Sequence, residues 1–267
     1  MTSKGKPETD HEPLSRRGRM RVLLIGAAWL VGLRAALVVL AGVLESSPLP
    51  EAVIGALIVD IGTGRAGVLW AEGDPARGVV LRLAARGAAV GAGVAGLALG
   101  ASIVLGLATV APASLHATQL IGFIPAAAVA VRDELLFRGL PLHFAARAGL
   151  PIWAAVAFGA LASPSAFVAA SSLSAAAVIL AIANGALFGV LYAKTKSAWT
   201  AVGAHAAWTI TTDVIARGGL FEARWSNGEL ASADAASGPP AYLAAALAVA
   251  ASIAILLAPR LRSKAAR

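Results

Sequence analysis

Arg132-Asp133-Glu134-Leu135-Leu136-Phe137-Arg138-Gly139 is the stretch that decides how this chain is read. It sets two adjacent carboxylates and two arginines inside an apolar run that begins near Leu120. On a soluble helix such residues would face water. Here the flanking residues have the composition of a membrane span, where charge is costly enough to be a mark of function.

The rest of the chain supports a membrane setting. Of 267 residues, 58% are hydrophobic and 13% charged, whereas a soluble domain carries about 25% charged residues. Mean hydropathy is +0.79. There is too little polar surface for a water-soluble globule of this size, and the many Ala and Gly residues suit close helix approach in lipid. Cysteine is absent, which excludes disulfides and thiolate metal sites. The net charge of +8 sits in loops and tails, so it sets topology and is not a nucleic-acid signal. Arg16, Arg17, Arg19 and Arg21 precede the apolar run from Val22, as in a signal peptide. Arg34 interrupts that run and no small-residue cleavage site follows, so a retained first span is expected.

A span takes about 20 mostly apolar residues. The candidates are 20–44, 51–71, 88–110, 119–140, 152–170, 174–193, 198–216 and 240–259. Connections with and without Lys or Arg alternate along the chain. Arg77, Arg82 and Arg86, then Arg147, then Lys194 and Lys196, and finally Arg260 and Arg262 mark one side. The mixed 217–238 connection is the exception, and it is long enough for the rule to weaken. The expected fold is all-α: a polytopic integral membrane protein of about eight transmembrane helices with both termini cytoplasmic. Residues 1–19 read as a disordered basic cytosolic tail, 20–259 as one transmembrane helical domain, and 260–267 as a second basic tail.

Charges within spans come next. Arg34 and Asp60 fall at similar depth in neighbouring antiparallel spans, which predicts a structural ion pair, with an ion pathway as the functional alternative. In the fourth span, Glu134 and Arg138 are four apart and can pair on one face. Asp133 points about 100° away, which would leave it free as a positioned base. In the seventh span His205 lies at the depth of Asp133, roughly 10 Å below the cytoplasmic surface, so the two can meet across a helix interface. Thr209 and Asp213 follow His205 on the same face. A carboxylate that activates water, with an imidazole and a hydroxyl to hold an oxyanion, would make a hydrolytic site. The plainer reading is an acid–His hydrogen bond that fixes helix packing.

At these residues the chain resembles the CPBP family of CAAX-protease and bacteriocin-processing (Abi) intramembrane proteases. That family has three motifs: E-E-x-x-x-R, usually followed by Gly; F-x-x-x-H; and H-x-x-x-N. The similarity spans about residues 119–216. The first motif is matched by Asp133, Glu134, Arg138 and Gly139, with Asp for the first Glu. The third begins at His205 and has Thr209 in its last place. In the second, Phe158 is followed by Ala162 where the family has His, with Ser163, Ser165 and Asn184 nearby. The resemblance implies catalytic roles for Asp133, Glu134, Arg138, His205 and Thr209. Asp133 with Glu134 would activate water, and His205 with Thr209 would stabilise the oxyanion. It implies a membrane-embedded, membrane-anchored or lipidated peptide as substrate, in the plasma membrane of a prokaryote, with no nucleic-acid partner. It also raises a divalent metal such as zinc. His205 and one carboxylate fall short of the about three protein ligands that a catalytic zinc takes, so no cofactor or metal ligand is assigned. Ala162 makes a catalytically degenerate membrane-binding or scaffold protein the alternative. A small transporter is the second, although neither an internal repeat nor broken helices in matched halves are seen.

Overall fold

The computed structural model describes residues 15–44, 47–73, 75–114, 116–167, 173–231 and 235–258. The C-terminal tail and all but the last five residues of the N-terminal one lie outside them. The first helix begins ahead of its expected boundary. Ser15 caps α1 (Arg16–Val43) by accepting from the Gly18 N–H at 3.2 Å.

The architecture is mostly helical. After α1 come α2 (Pro48–Arg65), α3 (Arg77–Val104) and strand β1 (Ala108–Pro112). The fourth expected span is a broken rod: α4 (Ala117–Ile121), α5 (Phe123–Glu134), a π turn over Leu135–Gly139, and α6 (Leu140–Arg147). The fifth is α7 (Ile152–Ala162), tightening into a 3₁₀ turn over Ser163–Phe167. Then follow α8 (Ala175–Thr195), α9 (Ala198–Thr209) with a π turn over Ile210–Ile215, strand β2 (Phe221–Trp225) and α10 (Gly238–Leu257).

Among the described residues, four helices, α1, α3, α8 and α10, are long and apolar enough to cross a bilayer. The remaining expected spans are helical but shorter, broken or too charged; α2 carries Glu51, Asp60 and Arg65. Outward faces bear exposed Leu24, Val39, Leu57, Leu97, Leu161 and Ile253. Such a belt suits hydrocarbon, where leucine gains nothing by burial in protein.

Two expectations about connections are corrected. The third helix starts at Arg77 and stops at Val104, so residues 108–110 are not its end but part of β1. β1 pairs antiparallel with β2, Ala108 opposite Trp225 and Pro112 opposite Phe221, inside what read as the 217–238 loop. The fold is therefore not purely α. The pair satisfies backbone groups between two helices, as any non-helical segment near lipid must.

Glycine sets the tightest packing. A Cβ on Gly87 or Gly91 of α3 would run into the backbone of Thr200 or Ala204 on α9, and one on Gly203 would meet Ala84. These helices touch backbone to backbone, the approach that small residues permit. Gly159 of α7 likewise lies directly on the Phe137 carbonyl of the π turn. The first motif is thus clamped from one side by α7, while α9, carrying His205, is fixed against α3.

The expected Arg34–Asp60 pair does not form. Arg34 Nη2 donates to the Ser165 carbonyl at 2.6 Å. Asp60 Oδ1 accepts from Trp70 Nε1 at 2.8 Å. The reason is rotation about the helix axes: α1 and α2 meet through Leu33 against Gly62 and Leu37 against Gly55. Arg34, one residue from Leu33, is turned about 100° off that seam. Matched depth was not enough to pair two charges on different faces.

Candidate active site

The π turn follows directly on Asp133-Glu134, and the motif is sealed from solvent. Asp133 is 4% exposed, Glu134 0% and Arg138 4%. Buried charges need partners, and each acid has one, though not the pattern expected. Arg138 Nη1 lies 3.2 Å from Glu134 Oε1, the i,i+4 pair read from the sequence. Arg138 also donates to the Asp133 carbonyl at 3.5 Å, and its guanidinium lies over the Phe188 ring.

Asp133 is not free. Arg132 Nε donates to its Oδ1 at 2.7 Å. Arg34 is close enough for its charge to act on Asp133 as well. Nor is Asp133 the hydrogen-bonded partner of His205. That partner is Glu134, whose Oε1 lies 2.9 Å from His205 Nδ1. The imidazole stacks on Phe188, ring centres 4.9 Å apart and planes 15° from parallel. Phe188 thus forms a floor under both His205 and Arg138.

Asp133, Arg138, His205, Thr209 and Asp213 line one cavity of about 730 Å³. Arg132, Ser163, Asn184, Phe188 and Trp208 complete its chemistry. Glu134 stands behind this wall and reaches the cavity through His205. The shared face of His205, Thr209 and Asp213 is therefore as read, even though α9 passes into a π turn after Thr209.

Ala162 packs among apolar side chains at the end of α7, and its methyl side chain offers no hydrogen-bonding group. Its neighbours do not restore an imidazole. Ser163 donates its hydroxyl to the Gly159 carbonyl at 2.8 Å, and Ser165 donates to the Ala162 carbonyl at 2.6 Å. Asn184 Oδ1 is buried with no hydrogen-bond partner. An orphaned amide oxygen in a polar cavity is suited to receive a water O–H. His143 and His116 lie outside this cavity.

Among the described residues, no three His, Asp or Glu side chains converge to hold a metal ion. The donor set itself fits poorly. With Glu134 behind the cavity wall and Ala162 in the second motif, His205 Nε2 and the Asp133 carboxylate are the donors those motifs leave to the cavity. A zinc would need about three such atoms turned to one point.

Arg132 and Phe188 were missed as site residues. The Arg132-Asp133 dipeptide was visible, but neighbours in a regular helix point apart, so adjacency is a poor cue to pairing. Phe188 carries no signal beyond four-residue spacing from Asn184.

Residues 117–211 match the family model described as Type II CAAX prenyl endopeptidase Rce1-like. Comparison with curated proteins and with solved structures gave no match. The matched segment runs from α4 to the π turn after α9 and contains the paired acids, Arg138, His205 and Thr209. Over that segment the chain is similar to the Rce1-like endopeptidases, a match consistent with the CPBP resemblance of its motifs.

Proposed function

We propose that the chain is an intramembrane endopeptidase of the CPBP type. It hydrolyses a membrane-embedded or membrane-anchored peptide from within the plasma membrane of a prokaryote, with eight spans and both termini cytoplasmic. The observation that carries this reading is the Glu134–His205 contact at 2.9 Å, on the wall of a cavity that also holds Asp133 and Thr209. The orientation is supported by Arg147 and Lys196, at the ends of α6 and α8, lining one recess.

The geometry favours an exchange of roles relative to the family pattern. With Glu134 accepting from Nδ1–H, the neutral imidazole keeps its lone pair on Nε2, the nitrogen left for the cavity. His205 is then the proton acceptor, and Glu134 fixes its tautomer and supports the imidazolium, as an acid behind a histidine does in other hydrolases. Arg138 holds Glu134 in place. Asp133, anchored by Arg132, receives one hydrogen of the attacking water and so aims the other at His205 Nε2, beside the Asn184 amide oxygen. As the water oxygen bonds to the peptide carbonyl carbon, its proton passes to His205 Nε2. Thr209 donates to the oxyanion. Collapse breaks the C–N bond, and His205 returns the proton to the leaving amine.

A second reading is favoured by Ala162 and by the arginine already held by each acid: a pseudoenzyme that binds a lipidated or membrane-anchored partner without cutting it. One experiment separates them. Purified protein is given membrane-anchored reporter peptides, including prenylated C-terminal ones, beside Asp133→Ala, His205→Ala and Ala162→His. Cleavage by wild type that is lost in the first two variants supports the endopeptidase. Cleavage only in Ala162→His sinks it and favours the pseudoenzyme.

A further inference from the structure

At the basic end of the bundle a recess of about 450 Å³ lies between the Gly67–Glu72 turn and the ends of α6 and α8. Its polar groups are Glu72, His143, Arg147, Tyr192 and Lys196. Glu72 and Lys196 neutralise each other at 2.8 Å. The Tyr192 hydroxyl is occupied by the Leu69 carbonyl at 3.2 Å. Arg147 is exposed and has no carboxylate partner among the described residues; its guanidinium rests 6.0 Å from the centre of the Phe144 ring. His143 Nε2 is buried and without a hydrogen-bond partner. The recess therefore presents one uncompensated cation, with the His143 nitrogen turned against Gly67 behind it.

Beside it runs a groove of about 360 Å³ between α1, α6 and α7. Its wall has no polar side chain: Leu23, Leu30, Phe144, Ala154 and Phe158 are typical of it. From Leu23 to Leu30 it extends roughly 10 Å along α1. Ala145 and Leu150 line both spaces, so the groove opens where the cation sits. Neither space shares a lining residue with the cavity of Asp133 and His205.

An anionic head joined to a hydrocarbon tail matches this juxtaposition, since phosphate seeks arginine at a membrane surface and an acyl chain seeks an apolar trench. We propose that α1, α6 and α7 hold one anionic phospholipid of the surrounding bilayer, its phosphate at Arg147 and an acyl chain in the groove. The separation from the cavity argues against a substrate's lipid anchor as the occupant. The inference rests on the membrane reading of the chain and is independent of whether the cavity is catalytic.

The test is native mass spectrometry of delipidated protein titrated with dioleoylphosphatidylglycerol or dioleoylphosphatidylcholine. One phosphatidylglycerol is expected to be retained in preference to phosphatidylcholine. Arg147→Ala is expected to weaken retention about fivefold, the loss of one cation near an anionic head. Ala27→Phe, which fills the groove, should weaken it also, while Arg82→Ala, remote on α3, should not. A lipid-free melting temperature for Ala27→Phe matching wild type keeps that variant interpretable. Equal retention of both lipids, or retention of phosphatidylglycerol untouched by both Arg147→Ala and Ala27→Phe, overturns the proposal. Displacement of phosphatidylglycerol by a farnesylated peptide, one for one, also overturns it and gives the groove to a substrate anchor. Displacement by millimolar inorganic phosphate alone would show a phosphate pocket with no lipid specificity, and would overturn it as well.

Discussion

Glu134→Gln changes one charge and almost no volume, so its effect isolates what the buried carboxylate does. Glu134 has no exposed surface and meets Arg138 at 3.2 Å and His205 at 2.9 Å. In the variant Arg138 stays charged, 4% exposed, with the Asp133 carbonyl at 3.5 Å and the Phe188 ring as its remaining company. Removing one partner of a buried pair costs about 3–5 kcal/mol, because the other charge is left uncompensated. The glutamine oxygen recovers part of this by accepting from His205, so the lower figure of about 3 kcal/mol is expected. At roughly 2–4 °C per kcal/mol for a chain of this size, the melting temperature in detergent falls by roughly 6–12 °C. The double variant Glu134→Gln/Arg138→Met removes the orphaned charge and places an apolar chain against Phe188. It should recover more than half of the loss, because an apolar replacement of a buried pair is often neutral. An unchanged melting temperature for Glu134→Gln would refute the buried-pair reasoning. A double variant no better than the single would show that the loss comes from His205 and not from Arg138.

Three other outcomes test the frame around the site. Topology reporters fused after Ser47 and after Val80 should report opposite sides of the membrane; the same side for both removes α2 as a span and the orientation with it. Asp60→Ala orphans Trp70 Nε1 and should cost about 1–3 kcal/mol. A double-mutant cycle of Asp60 with Trp70 should show coupling, while Asp60 with Arg34 should add within about 0.5 kcal/mol. Gly87→Leu drives a side chain into the Thr200 carbonyl. It should destabilise by about 1–3 kcal/mol or more, and any hydrolysis should fall with it because α9 carries His205; full stability in detergent would contradict the backbone contact of α3 with α9.

The helices were legible because hydropathy is a sum over many residues, and no single substitution hides it. All eight expected spans contain helix, and Glu134–Arg138 formed because the i,i+4 rule is a property of one helix. What failed has a common cause. The Arg34–Asp60 pair and the Asp133–His205 contact were both inferred from depth along a helix axis, and the free Asp133 from its angle to Glu134 alone. Depth fixes one coordinate. Rotation about the axis is set by which small residues let the helices approach, and Gly62, Gly87 and Gly203 decide that here. In a chain so rich in Ala and Gly, many stripes look alike before the packed one is known.

The same argument explains why Glu134, and not Asp133, took the histidine. α9 is pressed against α3 at Gly87, Gly91 and Gly203, and the π turn after Glu134 is pressed against α7 at Gly159. With both backbones fixed, the longer glutamate spans the remaining gap to His205 at 2.9 Å. Asp133 turns instead to Arg132 in its own helix, at 2.7 Å. An aspartate in the first motif position is then consistent with a carboxylate that needs to reach only an adjacent arginine and the cavity. Asp133→Glu therefore discriminates between the two assignments. If the first acid is the base, the extra methylene restores the family's reach and should raise hydrolysis. If His205 is the base and Asp133 only aims the water, the longer side chain misplaces that water by about 1 Å and should lower the rate, on the order of 100-fold.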